Sequence, residues 1–223
     1  MEKRQQNNRS KGRTLFHQVR KVTGTHPAAF VGILAAFAAA LWMEKAADQE
    51  HKVQQEIASQ VVRFHVKANS DTIRDQQIKL EVRDALLSQI NHLLEESGCS
   101  SKTASEKLLE EELCQLQETA NQAAAAAGSS DPIQVTLGKS YFPEKTYGDY
   151  TLPAGTYDAL QVTIGEGKGH NWWCMLYPSL CFSDALHPVL EEEGEEQLKT
   201  VLSDDAYDYI LKNAKITFGF YWF

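Results

Sequence analysis

Two segments hold most of the residues able to do chemistry. The first is RFHVKANSDTIRD, residues 63–75. Read as a strand, it alternates faces, so Arg63, His65 and Lys67 share one side and Phe64 and Val66 the other. A cationic strand face either binds an anion or pairs internally with acids such as Asp71, Asp75 or Asp84. Asn69-Ser70-Asp71 is turn chemistry, with Thr72 and Asp75 in the spacing of a capping box. The other reading of that tripeptide is a nucleophile site. On the helix that follows, Asp75, Lys79 and Arg83 step by four along one face, which is either solvated or a partner surface.

The second segment is GEGKGHNWWCMLYPSLCF, residues 165–182. Its glycines lack the G-x-G-x-x-G spacing, no helical pattern follows, and no Lys-Ser/Thr pair of a phosphate loop is present. Nucleotide chemistry is therefore not expected. Trp172, Trp173, Met175, Leu176, Tyr177, Leu180 and Phe182 place much apolar surface on what reads as a long irregular loop. Such a loop folds back as a small core or serves as a docking patch, where rigid aromatic rings are favoured anchors. Cys174 beside His170 or His65 imitates a thiol enzyme, but a bridge from Cys174 to Cys181 would consume the thiol. Cys99 and Cys114 form a second possible bridge. No G-x-S-x-G, H-E-x-x-H or zinc-type spacing occurs, so no metal or other cofactor is expected.

The elements that must carry these segments follow from periodicity. VVRFHV (61–66) is a strand. Ile78, Val82, Leu86, Ile90 and Leu93 line a helix from Thr72 to about Ser97, stopped by Gly98. Thr103 opens a second helix, striped by Leu109, Leu113, Leu116, Ala120 and Ala123 and ended by Gly128. A short strand follows at 133–137. Residues 138–156 read as ordered turns or a hairpin, with a strand at 159–164. A helix covers 195–213, and KITFGFYWF (215–223) closes as a strand. The fold class is α+β, a single domain with a mixed sheet and about three helices.

The chain has 223 residues and a net charge of −8, unevenly placed. Residues 1–27 carry net +6, and 28–43 (AAFVGILAAFAAALWM) carry no charge. Sixteen helical residues span about 24 Å, short of a hydrocarbon core of about 30 Å. The pattern fits a signal peptide or a short signal-anchor helix behind a basic cytosolic n-region. Ala38-Ala39-Ala40 offers a cleavage-like site. A buried core helix and a nucleic-acid-binding arm are the weaker readings. Residues 44–60 form a polar, helix-compatible spacer that would reach roughly 55 Å if extended. The domain organisation is thus 1–27, 28–43, 44–60 and a folded body over 61–223, placed outside the cytoplasm.

RFHVKANSD (63–71), DQQIKLEVRDAL (75–86) and YFPEKTYGDYTLPAGTYDALQVTIGEGKGHNWWCMLYPSLCF (141–182) resemble the stage II sporulation protein R family of endospore-forming bacteria. The resemblance runs from about Val61 to the end, more weakly over 98–130 and 188–215. It implies a signalling protein made in the forespore and exported into the space between two membranes. There it would activate a membrane-embedded aspartic protease of the mother cell, which removes the pro-sequence of sigma-E. It implies an activator without catalysis of its own, nucleic acid or small-molecule substrate, and supplies no catalytic residues to carry over. The candidate partner surfaces are Trp172, Trp173 and Tyr177 first, then Arg63 and His65 with Asp75, Lys79 and Arg83. An exported thiol-dependent or other hydrolase using His65, His170 or Cys174 is the competing reading, and an envelope-binding module a third.

Overall fold

The computed structural model describes residues 27–178 and 192–212. Two compact units divide near Glu50. The first contains most of helix α1 (Pro27–Gln60). Val31, Ile33, Leu34, Phe37, Leu41 and Trp42 are exposed along it. No helix among the described residues is long and apolar enough to cross a membrane, so the anchor-helix expectation gains no support here. The spacer is helical to Gln60 rather than extended. Its sequence is rich in Ala, Gln, Glu and Lys and has no Gly or Pro to interrupt the helix.

The second unit starts at His51, ten residues before the expected start of the body. Val53 and Ile57, four apart on α1, are buried in its core. Its elements are β1 (Val62–Lys67), α2 (Ile73–Ser97), α3 (Lys102–Glu111), α4 (Leu113–Ala126), β2 (Ile133–Phe142), β3 (Lys145–Tyr147), β4 (Tyr150–Leu152), β5 (Gly155–Ile164), β6 (Asn171–Tyr177), α5 (Glu192–Val201) and α6 (Asp204–Lys212). Four strands form a mixed sheet in the order β2-β5-β1-β6. β1 runs parallel to β5 and antiparallel to β6, and β2 runs antiparallel to β5. β3 and β4 form a separate hairpin.

The sheet is covered on both faces. Phe64, Val66, Leu160, Val162 and Leu176 pack under α2, α3 and α4. On the other face, Phe142, Tyr157, Ala159 and Met175 pack with the β3–β4 hairpin, Ile57, Leu198, Leu202, Ala206 and Ile210. Strand β1 is therefore buried on both sides, although its sequence alternates apolar residues with Arg63 and His65.

Helix α2 matches its sequence pattern. Thr72 caps it by accepting from the Asp75 amide, and Gly98 ends it at φ 59°. The helix expected after Thr103 is two helices bent at Glu112. The bend lets α3 lie beside β1 while α4 packs against β2. The helix expected at 195–213 is likewise two, with Ser203 accepting from the Ala206 amide at the start of the second. Five helices thus follow β1 among the described residues, where about three were expected in the body. The strand at 133–137 runs on to Phe142, because Gly138 continues the pairing opposite Ala159. The hairpin expected within 138–156 is present. The expected strand at 215–223 lies outside the described residues.

Candidate functional site

The segment 165–182 is not one irregular loop. Residues 171–177 form edge strand β6, because the bulky run NWWCMLY alternates between the two covered faces of the sheet. Trp172 packs edge-on to Phe64, with ring centroids 5.7 Å apart. Trp173 stacks on His65 at 4.9 Å and 22°. The two tryptophans thus face opposite cores, and each is only half-buried. Tyr177 is buried, and its hydroxyl donates to Ser100 O at 2.8 Å.

The remaining loop, 165–170, closes on the β1–α2 turn at the carboxyl ends of the parallel strands β1 and β5. Glu166 N donates to Asn69 Oδ1 at 2.9 Å, Lys168 N to Asn69 O at 3.1 Å, and Gly169 N to Ala68 O at 3.0 Å. His170 N donates to Asp71 Oδ1 at 2.6 Å, and His170 Nδ1 lies 2.5 Å from the same oxygen. Those bonds hold the exposed Asp71 carboxyl below its ordinary range, the His170 backbone amide contributing most. The three glycines are explained by this contact. Gly165 and Gly167 have φ of 57° and 60°. A side chain at Gly169 would collide with the Ser70 carbonyl. What superficially resembled a phosphate cradle is filled by the chain's own Asn-Ser-Asp turn.

Helix α2 braces the same contact. Ser70 Oγ donates to Asp75 Oδ2 at 2.5 Å, and Gln76 Nε2 to Ser70 O at 3.0 Å. Lys79 Nζ donates to Gln76 Oε1 at 2.6 Å and to His170 O at 3.2 Å. Arg83 lies over the Trp172 ring at 5.0 Å and pairs with Asp84 at 2.6 Å. Asp75, Lys79 and Arg83 are therefore on one face, as the spacing implies, but that face holds the two segments together. Lys79 and Arg83 are buried. Burial depresses the Lys79 pKa, with the Arg83 charge adding to it and Asp71 opposing.

Arg63 and His65 do share a face, but it is buried, with exposures of 0% and 1%. Neither offers a surface to a partner as the domain stands, and neither pairs with Asp71, Asp75 or Asp84. Arg63 Nε donates to Cys174 O at 3.1 Å and Nη2 to the Tyr147 hydroxyl at 2.9 Å. Its guanidinium lies 4.4 Å from the Phe142 ring centre and 5.0 Å from that of Tyr157. Burial, chiefly, lowers His65 to a pKa of about 4, with Lys67 and Arg63 adding to the shift and Gln161 opposing it.

A histidine kept neutral in the fold and free to charge when unfolded stabilises less as pH falls. The native state binds fewer protons than the unfolded state between pH 6.5 and 4, so stability drops through that window. Between pH 7 and 5 the loss from His65 is about 2 kcal/mol. Urea denaturation at the two pH values should show it, and His65→Phe should flatten that part of the profile.

Cys174 is buried and disulfide-bonded, so it offers no thiol for catalysis. Its expected partner, Cys181, lies outside the described residues. Cys99 and Cys114 are free, contrary to the second expected bridge. Cys99 follows the Gly98 stop of α2, whereas Cys114 stands exposed on α4. Among the described residues no cluster of His, Cys, Asp or Glu could hold a metal ion. The sequence singled out both segments of the site. The signal for their apposition was the glycine at every second position, 165, 167 and 169, where a backbone must approach closely.

The sequence profile of the stage II sporulation protein R family matches residues 58–187. The chain belongs to that family. The stage II sporulation protein R of Bacillus subtilis (strain 168) is 33% identical over 178 residues, covering 77% of this chain and 79% of the relative. No solved structure matches. The family match contains both halves of the site, the Asn-Ser-Asp turn and the Gly165–His170 loop, together with the strands β1, β5 and β6 that carry them.

Proposed function

We propose that this member of the stage II sporulation protein R family is the forespore signal that activates the mother cell's membrane-embedded aspartic protease, which then matures sigma-E. The observation that carries the reading is the family match over residues 58–187. The basic start and the apolar run 28–43, whose side chains are exposed from Val31 to Met43, support export through the forespore membrane. Contact, rather than bond-breaking, is the proposed mode of action. A ligand of this kind works by binding the active state of its receptor more tightly than the inactive one.

The contact region we favour is the exposed rim of the 69–71 and 165–170 apposition. Asp71 and His170 are exposed there, and Trp172 and Trp173 emerge half-buried beside them. Arg63 and His65 support this rim from beneath through Cys174 O and the Trp173 ring.

Co-expression in a non-sporulating host of this chain, the protease and pro-sigma-E tests the function. Mature sigma-E should appear only when all three are present. Processing without this chain, or its absence with all three well expressed, would overturn the reading. In the same host, Asp71→Ala combined with His170→Ala should reduce processing at least tenfold while the protein stays folded.

A further inference from the structure

Among the described residues, strand β2 is an outer edge of the sheet, and only half of that edge is closed. Gln117 on α4 closes the first half. Its Oε1 accepts from Val135 N at 2.8 Å and its Nε2 donates to Ile133 O at 3.1 Å. One side-chain amide thus occupies the place of a neighbouring strand. These two bonds also show that the backbone groups of 133 and 135 point away from β5. The β2–β5 register continues without a shift to Phe142, and antiparallel bonding alternates. Leu137, Lys139 and Tyr141 therefore direct their N–H and C=O groups outward too. No described turn, cap or loop takes those groups. Tyr141 is 65% exposed, although it sits on a strand.

We propose that the edge Leu137–Tyr141 receives an extended strand from another protein, adding antiparallel to β2, with an acidic residue opposite Lys139. The side chain selects the occupant. Lys139 is 72% exposed and lies 3.0 Å from Asp158 across the strand pair. A second copy of this chain could use all three outward residues only in the register that sets Lys139 against Lys139. A register centred on Leu137 runs into the Gln117 cap, and one centred on Tyr141 runs into Pro143. An edge lysine is a recognised guard against self-pairing, and like charges directly opposite are unfavourable. A carboxylate in that position adds a second acid to the lysine, and an apolar residue two positions on covers the Tyr141 ring. Backbone bonds supply the affinity and alternate side chains the selectivity. The site goes beyond the signalling role and stands whether or not that reading holds.

The test uses the full chain, 15N-labelled, and two peptides, acetyl-Val-Thr-Glu-Thr-Val-amide and the same peptide with lysine at the centre. The glutamate peptide should shift the amide signals of Leu137, Lys139 and Tyr141, with half-saturation at about 1 mM. It should bind about fivefold tighter than the lysine peptide. Lys139→Glu should reverse that preference. Lys139→Pro, which deletes one outward N–H that the sheet does not use, should abolish binding of both. Absence of shifts at 10 mM would overturn the proposal, as would shifts confined to other residues or a preference indifferent to Lys139→Glu.

Discussion

Gly169→Ala should cost about 2–4 kcal/mol and release the 165–170 loop from the β1–α2 turn. A Cβ at this position would collide with the backbone carbonyl of Ser70, which cannot rotate away as a side chain can. The turn is pinned in place: Ser70 O also accepts from Gln76, and Ala68 O accepts from Gly169 itself. Relief therefore requires moving the loop outward, which stretches the His170–Asp71 and Glu166–Asn69 bonds together. For a chain of this size a loss of that order lowers the melting temperature by roughly 10 °C. Gly138→Ala is the matched control. No atom lies within 4 Å of its added Cβ and its backbone is ordinary, so the melting temperature should stay within about 2 °C of the parent. Thermal unfolding of the two variants side by side checks both. Amide exchange should then show protection lost at Glu166, Lys168 and Gly169 in the first variant alone.

That glycine also marks where sequence reasoning reaches and where it stops. Thr72, Asp75 and Gly98 fix the bounds of α2 because capping is local chemistry, legible in a few residues. The alternation of Arg63 and His65 against Phe64 and Val66 likewise gives the two faces of β1 correctly. Burial on both faces does not follow from alternation, because it depends on what the hairpin and the later helices bring from 80 to 145 residues away. So a cationic face that reads as an anion site or as the partner of internal acids proves to be the centre of a core, bonded to a carbonyl and a hydroxyl. The strand at 171–177 was hidden for a related reason. The glycines at 165, 167 and 169 are loop chemistry, but that chemistry ends at His170, and from Asn171 the chain pairs and alternates as a strand. The helical step of Asp75, Lys79 and Arg83 is legible, but while Asp75 bonds the adjacent turn, Lys79 and Arg83 reach partners about 90 residues away, in the loop and strand that follow β5.

Arg63→Ala should be among the most damaging single changes in the core, at about 3–5 kcal/mol, yet Arg63→Met should cost only about 1–2 kcal/mol. The difference rests on what surrounds the guanidinium. It is fully buried, but its partners are a carbonyl, a hydroxyl and aromatic rings. A buried cation usually answers a buried carboxylate, and removing it then strands the acid at a cost of several kcal/mol. Among the described residues no acid pairs with Arg63, so none is stranded. The truncation to alanine loses the volume and the packing of the long stem, whereas methionine restores most of both and keeps a polarizable group against Phe142 and Tyr157. Both lose the bonds to Cys174 O and the Tyr147 hydroxyl. These are mild losses, since a hydrogen bond contributes about 1 kcal/mol net and the cation must be stripped of water to make them. Lysine should fall between the two, keeping the charge but not the fork that reaches Cys174 O and Tyr147 together. Urea denaturation at pH 7, read at constant slope, should give the order parent, methionine, lysine, alanine. Methionine as costly as alanine would mean that the charge itself, and not the space it fills, holds the hairpin onto the sheet.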